Sequence, residues 1–294
     1  MRRSDMIEVV GFDADDTLWQ CQDAFDEAER LFFDTVSPYA SPGVDLEDAL
    51  RATELGNLAI SGYGVKAFGL SMIEAAVISS AGTIPSRDIG ILVDHIHDML
   101  REPVKLLDGV ADALHAVAQT HRIVMITKGD LVHQTRKVQT SGLHHLFEHI
   151  KIVLEKDVST YRAILDEWGI DPSTFLMVGN SVRSDILPVV ELGGFGLHIP
   201  YHVTWDHEVV DAPRGAFDTV FSISDVVEWL AAEPVVSHHS RRSRTSDTRW
   251  SRPFRTTSEA RFLVGMMFSL RFTPLIRCQI DFAISAASSS LRCA

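Results

Sequence analysis

The stretch MIEVVGFDADDT, residues 6–17, decides the fold of this 294-residue chain. Its first seven residues, 6–12, form a short apolar run rich in β-branched side chains, and the run ends on the acids Asp13, Asp15 and Asp16. This pattern is typical of a buried parallel strand, which is covered on both faces and carries polar residues after its carboxyl end. The sequence therefore predicts a buried strand that delivers carboxylates to the edge of a sheet.

Later segments repeat this strand pattern and alternate with helical ones. The apolar runs lie at residues 122–127, 149–154 and 174–179, and segments with apolar residues three and four positions apart lie at 108–120, 130–141 and 158–168. Alternation of this kind predicts an α/β fold, a Rossmann-like parallel sheet flanked by helices. We also expect strands at residues 195–199 and 219–223 and a closing helix at 224–232.

Residues 20–103 interrupt the alternation and contain helical patterns only. The clearest are residues 45–60 and 86–100, the second preceded by Pro85 as a helix-start signal. Ligands of open α/β sheets bind at the carboxyl ends of the strands, so an insertion that leaves from that edge overhangs the site. We expect a core of residues 1–19 and 104–236 and a helical cap of residues 20–103. A plain packing extension is the alternative.

The chain carries 27 Lys and Arg against 40 Asp and Glu, and this balance hides a division at about residue 237. Residues 237–294 contain ten arginines, no lysine and three acids, which gives that segment a formal charge of +7 and leaves −20 for residues 1–236. Three interpretations of the tail stay open: a basic disordered extension, a partner-binding arm, or translation in a shifted reading frame. The acidic body argues against nucleic acid and anionic membrane as partners.

The three cysteines, Cys21, Cys278 and Cys293, form neither a metal-ligand spacing nor a disulfide framework, which favours a reducing cytoplasm. No signal peptide is indicated at the start of the sequence. The longest apolar stretch of the tail, residues 262–270, is nine residues long, whereas a membrane span needs about 20. We expect a cytoplasmic protein that binds neither membrane nor nucleic acid. The oligomeric state stays open.

Polar residues follow all four predicted strands. Asp13 and Asp15 follow the first, Thr127 ends the second, Lys156 lies just beyond the third, and a loop after the fourth returns Asp185 to the same edge. Carboxylates two positions apart are costly to gather unless a cation or a proton shares the site. Taken alone, Asp13 and Asp15 could equally be a cluster of acids in a turn or part of a functional site. The convergence of polar residues from four strand ends favours a site for an anion and a metal ion.

These motifs resemble those of the haloacid dehalogenase superfamily of hydrolases, in the phosphatase type. The matching motifs are DADDT at residues 13–17, Thr127, Lys156 and the segment GNSVRSD at residues 179–185. They cover the chain from about Ile7 to Asp185, and the set is specific only when taken together. The helical insertion resembles the C1 cap of that superfamily.

The resemblance implies a Mg²⁺-dependent phosphomonoester hydrolase that acts on a small phosphorylated metabolite. Asp13 would be the nucleophile that forms an aspartyl-phosphate, and Asp15 the general acid and base. Mg²⁺ would be held by Asp13, Asp185 and the backbone carbonyl of Asp15, while Thr127 and Lys156 would bind the phosphoryl oxygens. Thr17 would orient the loop.

Two alternative functions remain. A metal-independent haloacid dehalogenase needs neither an acid at the second motif position nor a metal ligand such as Asp185. A non-enzymatic phosphoacceptor switch needs no acid/base group at Asp15 and no long cap. Asn180 departs from the superfamily pattern, in which many members carry an acid. We therefore expect Asn180 to form hydrogen bonds beside Lys156 or a metal-bound water rather than to bind the metal itself.

Overall fold

Strand β1, Val9–Phe12, lies inside a six-stranded parallel sheet with the strand order β3-β2-β1-β4-β5-β6. The computed structural model describes residues 3–203 and 215–233. All four residues of β1 are buried, because β2 and β4 flank it in register, with Val9 opposite Arg122 on one side and opposite Phe175 on the other. The other strands are β2 Arg122–Lys128, β3 His149–Val153, β4 Phe175–Gly179, β5 Phe195–His198 and β6 Asp218–Thr219.

Nine α-helices accompany these strands in the described residues. Four lie between β1 and β2 in an insertion, and a fifth leads into β2; the remaining four follow β2, β3, β4 and β6. Their bounds are α1 Gln22–Val36, α2 Leu46–Ser61, α3 Val65–Ser79, α4 Ser86–Arg101, α5 Val110–Ala118, α6 Leu131–Thr140, α7 Val158–Trp168, α8 Leu187–Glu191 and α9 Asp225–Ala231. The predicted α/β fold with a parallel sheet is confirmed.

Aspartate caps fix the start of several of these helices. The carboxylates of Asp45, Asp130 and Asp157 accept hydrogen bonds from first-turn backbone N–H groups of α2, α6 and α7. Such caps satisfy donors that have no partner within the helix. Each cap directly precedes a segment with apolar residues three and four positions apart. The helices at 45–60, 130–141 and 158–168 were therefore predicted to within about one residue.

Two predicted strands are wrong in extent. The first begins at Val9 and not at residue 6, because the N–H groups of Met6 and Ile7 bond to the carbonyl of Arg3 in a tight turn. The last was predicted at 219–223 but β6 is the pair Asp218–Thr219. There the chain turns instead into α9, and the N–H groups that follow bond to the carboxylate of Asp225.

The insertion between β1 and β2 has a hydrophobic core of its own. Residues 20–103 are all described and contain no strand. Helices α1 to α4 enclose a cluster of buried side chains that is separate from the clusters on the two faces of the sheet. Its members include Phe32, Met72 and Leu92, all fully buried. The insertion is therefore stabilised by its own packing, as is expected of a cap.

The basic tail, residues 237–294, lies outside the described residues, and so do its three proposed interpretations. Within residues 3–203 and 215–233, no helix is long and apolar enough to cross a membrane.

Glu54 of α2 gives a prediction about pH and stability in the insertion. Burial and the negative charge of Glu29 raise the pKa of Glu54 to about 7. A carboxyl whose pKa is raised on folding stabilises the fold below its unfolded pKa, and this contribution is lost as the pH rises through 7. We expect Glu54→Gln to be more stable than the wild type at pH 8, by about 1 kcal/mol after solvent screening, and nearly equal to it at low pH.

Urea unfolding of both proteins at pH 4.5 and pH 8 measures this difference. The control is Glu47→Gln, because Glu47 lies on the same helix and is exposed. A stability difference for Glu54→Gln that does not grow with pH would contradict the prediction.

Candidate active site

Residues from four strand ends line one open cleft at the carboxyl edge of the sheet. Asp13 follows β1, Thr127 belongs to β2, Lys156 follows β3, and Asp185 lies in a π-helical turn after β4. All four are buried, with no more than 6% of their surface exposed. The convergence expected from the motif positions is therefore present in the structure, and the insertion contributes Tyr63 to the same cleft.

Lys156 joins the two most buried carboxylates of the cleft. Its Nζ donates to Asp13 Oδ1 and, at 2.6 Å, to Asp185 Oδ1. Burial and the charge of Asp185 together raise the pKa of Asp13 to about 7, although Lys156 offsets part of that rise. For Lys156, burial opposes the charged form, but the two carboxylates hold its pKa well above the usual value. One ammonium group is thus paired with two carboxylates, and the three side chains together carry more negative than positive charge when both carboxylates are ionised.

The hydroxyl of Thr17 links the first and fourth motifs. It donates to Asp13 Oδ2 at 3.0 Å and accepts from the backbone N–H of Asn180 at 3.0 Å. Thr17 therefore orients the nucleophile candidate and ties the loop after β1 to the loop after β4. Asn180 was expected beside Lys156 or a metal-bound water, but the contacts of its side-chain oxygen and backbone N–H are with Thr17.

Asp15 is held apart from Asp13 by three donors. Trp19 Nε1 and Lys137 Nζ both lie 2.5 Å from Asp15 Oδ1, and Gln134 Nε2 donates to Oδ2 at 2.8 Å. Burial favours the neutral acid, yet Lys137 and these hydrogen bonds lower the pKa of Asp15 overall. The side chain is 25% exposed, so it is fixed in place while still open to the cleft.

Asp16 shapes the loop that carries both aspartates. Its backbone has φ 61°, in the left-handed region, where aspartate is tolerated better than most side chains. Its Oδ1 accepts from the N–H groups of Cys21 at 2.8 Å and Gln22 at 3.0 Å, at the start of α1. Asp16 therefore joins the loop after β1 to the first helix of the insertion.

Thr127 and the start of α6 form the wall of the cleft beyond β2. Gln134 Nε2 donates to Thr127 Oγ1 at 3.4 Å. At the start of α6 the carboxylate of Asp130 accepts from His133 N at 2.8 Å and pairs with Lys66 of the insertion. An anion at this wall would therefore meet the hydroxyl of Thr127 rather than the helix terminus.

The loop after β4 places Asp185 with little freedom. Its Oδ2 accepts from the backbone N–H of Ser181 at 2.9 Å, and its own N–H donates to the carbonyl of Ser181 at 2.8 Å. A Cβ on Gly179 would lie 2.3 to 2.6 Å from the side-chain atoms of Asp185. Glycine at this position is therefore required by the close approach of the carboxylate.

The donor chemistry of the cleft fits a hard divalent cation. Asp13 and Asp185 offer carboxylate oxygens, and the backbone carbonyl of Asp15 belongs to the same loop as Asp13. Magnesium prefers such oxygen ligands and keeps several waters, so two carboxylates and a carbonyl suffice. In the part of the chain that the structure describes, no three His, Cys, Asp or Glu side chains form a metal cluster. Because Lys137, Trp19 and Gln134 hold the carboxylate of Asp15, this residue would contribute its backbone carbonyl to a metal ion.

Several residues of the cleft were not predicted from the sequence. Lys137 and Gln134 lie three positions apart on one face of α6, the helix that follows Thr127. That spacing after a motif strand is the one signal that could have identified them. Tyr63 was not predicted as a cleft residue either. Its hydroxyl donates to Glu155 at 2.7 Å, and the centre of its ring lies 4.1 Å from Lys128 Nζ.

Other candidate residues can now be placed. Trp19 is fully buried and braces Asp15, so it does not line the cleft. The Lys128 side chain is 14% exposed and donates to Ser184, so it lies against the cleft rather than in solvent. Tyr201 donates to Asp23 of α1, and Trp205 lies outside the described residues.

Comparisons with known proteins agree with this geometry. Residues 7–193 match the family model of the haloacid dehalogenase-like hydrolases. A haloacid dehalogenase-like family hydrolase from Xanthomonas campestris is 40% identical, with a TM-score of 0.68 over 77% of this chain and 92% of that one. A search of curated proteins gave no match.

More distant solved structures share the fold. A 2-haloacid dehalogenase from Pseudomonas syringae is 21% identical, with a TM-score of 0.53 over 77% of this chain and 99% of its own. A protein from Bacillus subtilis described as a HAD hydrolase, with magnesium bound, is 17% identical, with a TM-score of 0.54 over 76% of this chain and 99% of its own.

Gly179→Ala tests the tight placement of Asp185. The added Cβ would overlap the carboxyl group, so Asp185 must move away from Lys156. We expect a loss of about 1–3 kcal/mol in the free energy of unfolding and a longer Lys156 Nζ to Asp185 Oδ1 distance in a crystal structure.

Gly56→Ala is the matched control, because no atom lies within 4 Å of the position that its added methyl group would take on α2, and alanine favours helix. An unchanged Asp185 in Gly179→Ala, with wild-type stability, would contradict the account of this loop.

Proposed function

Because the chain belongs to the haloacid dehalogenase-like hydrolases, we propose that it is a Mg²⁺-dependent phosphomonoesterase of the cytoplasm that acts on a small phosphorylated metabolite. The superfamily fold carries more than one chemistry, and so the choice of reaction rests on the site. The observation that carries the proposal is the pair Asp13 and Asp15, which line one cleft but are bound by different lysines.

The pair fits a reaction that needs both a nucleophile and a proton donor. Asp13 is held by Lys156 and Thr17, as a nucleophile must be oriented. Asp15 follows Asp13 by two residues in the sequence and places a second carboxyl group in the same cleft. A leaving alkoxide needs a proton, whereas a leaving halide does not. A fixed carboxyl group at Asp15 therefore supports phosphate ester cleavage over dehalogenation.

In the first step, an oxygen of Asp13 attacks phosphorus. The bond from phosphorus to the ester oxygen breaks, and Asp15 gives its proton to that oxygen, which leaves as the alcohol. The negative charge of the bound phosphoryl group would keep Asp15 protonated for this step despite Lys137. In the second step, Asp15, now a carboxylate, removes a proton from water as the water attacks phosphorus. The bond to Asp13 breaks, inorganic phosphate is released, and both aspartates return to their starting states.

Hydrogen-bond donors in the cleft, the ammonium of Lys156 and the hydroxyl of Thr127, would hold the phosphoryl oxygens during both steps. Lys156 is buried beside Asp13, and Thr127 lies on the adjacent strand with its hydroxyl in the cleft. Preorganised donors of this kind stabilise charge that spreads over the transferred group. Asp13, Asp185 and the carbonyl of Asp15 would hold Mg²⁺, which supplies the positive charge that lets a carboxylate approach a phosphate.

The insertion, residues 20–103, is proposed as the cap over this site. Its Tyr63 and Lys66 bond to Glu155 and Asp130, which follow β3 and β2. These contacts bring the insertion to the rim of the cleft, where a cap could exclude water during phosphoryl transfer. This placement supports the proposed division into a core of residues 1–19 and 104–236 and a helical cap of residues 20–103.

Release of phosphate from p-nitrophenyl phosphate tests the proposal directly. We expect turnover with Mg²⁺, and loss of turnover with EDTA that added Mg²⁺ restores. A parallel assay measures halide released from 2-chloropropionate. Halide release that is insensitive to EDTA, without phosphatase activity, would identify a dehalogenase and contradict the proposal. Transfer of a phosphoryl group to the protein without turnover would indicate a phosphoacceptor switch.

Asp13→Asn should lower kcat for p-nitrophenyl phosphate by about 10³-fold or more, because the amide cannot replace the carboxylate nucleophile. Thermal unfolding should show that the fold is retained. Asp166→Asn is the control, since Asp166 is an exposed residue of α7 and should leave kcat unchanged. Substantial activity of Asp13→Asn would exclude Asp13 as the nucleophile.

A further inference from the structure

Lys137 is a buried lysine that the motifs do not explain. It lies on α6, and its side chain is 10% exposed. A buried ammonium is costly unless an anion compensates it. Among the described residues its Nζ has two polar contacts, Asp15 Oδ1 at 2.5 Å and Cys21 Sγ at 3.6 Å. Asp15 is therefore the carboxylate that stabilises Lys137 in this position.

The two buried lysines of the cleft have separate partners. Lys156 binds Asp13 and Asp185, and Lys137 binds Asp15. Of the three donors described for Asp15, Trp19 and Gln134 are neutral and Lys137 is charged. The candidate nucleophile and the candidate acid/base group are thus paired with different lysines, and the second lysine comes from α6.

Helix α6 couples this lysine to the rest of the site. The helix starts directly after the loop that follows Thr127, and Gln134 donates both to Thr127 Oγ1 and to Asp15 Oδ2. Lys137 lies one turn further along and reaches Asp15 Oδ1. One rigid element therefore fixes Asp15 relative to the wall of the cleft that Thr127 forms.

We propose that Lys137 is the positioning residue for Asp15, holding its carboxyl group where it can exchange a proton with the leaving oxygen and with water. This inference rests on the proposed phosphomonoesterase function. Among the described residues, the Nζ of Lys137 contacts Asp15 and Cys21 and not Asp13, so Lys137 acts through Asp15. Its loss should therefore impair substrates in proportion to their need for a proton.

Phenyl phosphate and p-nitrophenyl phosphate provide the test, because they have similar shape but p-nitrophenolate leaves far more readily without a proton. In Lys137→Met, kcat/KM for phenyl phosphate should fall at least about tenfold more than kcat/KM for p-nitrophenyl phosphate. Lys137→Arg should recover part of this difference. Lys151→Met is the matched control, because Lys151 pairs with Glu167 on the surface and should leave both values unchanged.

An equal fall for both substrates, or an unchanged ratio, would overturn the proposal and leave Lys137 a structural role. If Lys137→Met does not fold, Lys137→Gln, which keeps a donor but no charge, is measured in the same way. Failure of the wild type to hydrolyse either ester would contradict the proposed function. The inference is then decided by crystal structures: Asp15 should change rotamer in Lys137→Met, and an unmoved Asp15 would overturn it.

Discussion

The bridge from Lys156 to Asp13 and Asp185 is the interaction on which the candidate site depends. It brings together three charged side chains that are at most 6% exposed, from segments that follow β3, β1 and β4. Buried charges persist only when they are paired and hydrogen-bonded. The three side chains lie close together because the carboxyl ends of the parallel strands meet at one edge of the sheet. The bridge then holds the loops after β1, β3 and β4 beside the cleft.

Asp13 and Asp15 have different electrostatic environments in the cleft. Asp13 experiences burial and the repulsion of Asp185, which raise its pKa to about 7, whereas Lys137 offsets burial and lowers the pKa of Asp15. Taken alone, these directions are opposite to those that the proposed roles need, because a nucleophile must be ionised and a general acid must be protonated. The negative charge of a bound phosphoryl group would raise the pKa of Asp15. A cation bound at Asp13 and Asp185 would relieve the repulsion that burial intensifies.

The sequence predicted the parts of the fold that depend on local pattern. Helix α7 was predicted at its observed bounds, because apolar spacing, the Asp157 cap and Gly169 after the last turn all agree. Strand β6 was overestimated because the apolar residues after Thr219 enter a turn capped by Asp225, which competes with strand pairing. Packing of α1 to α4 into a separate core required tertiary contacts that periodicity does not specify.

The same distinction applies to the site. Asp13, Thr127, Lys156 and Asp185 follow strands, so topology alone predicted their convergence. Lys137 was missed because a lysine on an amphipathic helix is ordinarily solvated, and nothing local shows that it faces a carboxylate from the loop after β1. Asn180 was expected to contact Lys156 or a metal-bound water, but its partner is Thr17, far away in sequence.

The most direct test of the account is to locate the phosphoryl group on the protein. Asp15→Asn, which retains the nucleophile but lacks the base for the second step, is mixed with p-nitrophenyl phosphate and Mg²⁺, quenched in acid and digested for mass spectrometry. The account predicts a phosphorylated peptide with the group on Asp13, in an amount close to one per protein molecule. A phosphoryl group on another residue, or no phosphorylated peptide despite release of p-nitrophenol, would contradict it.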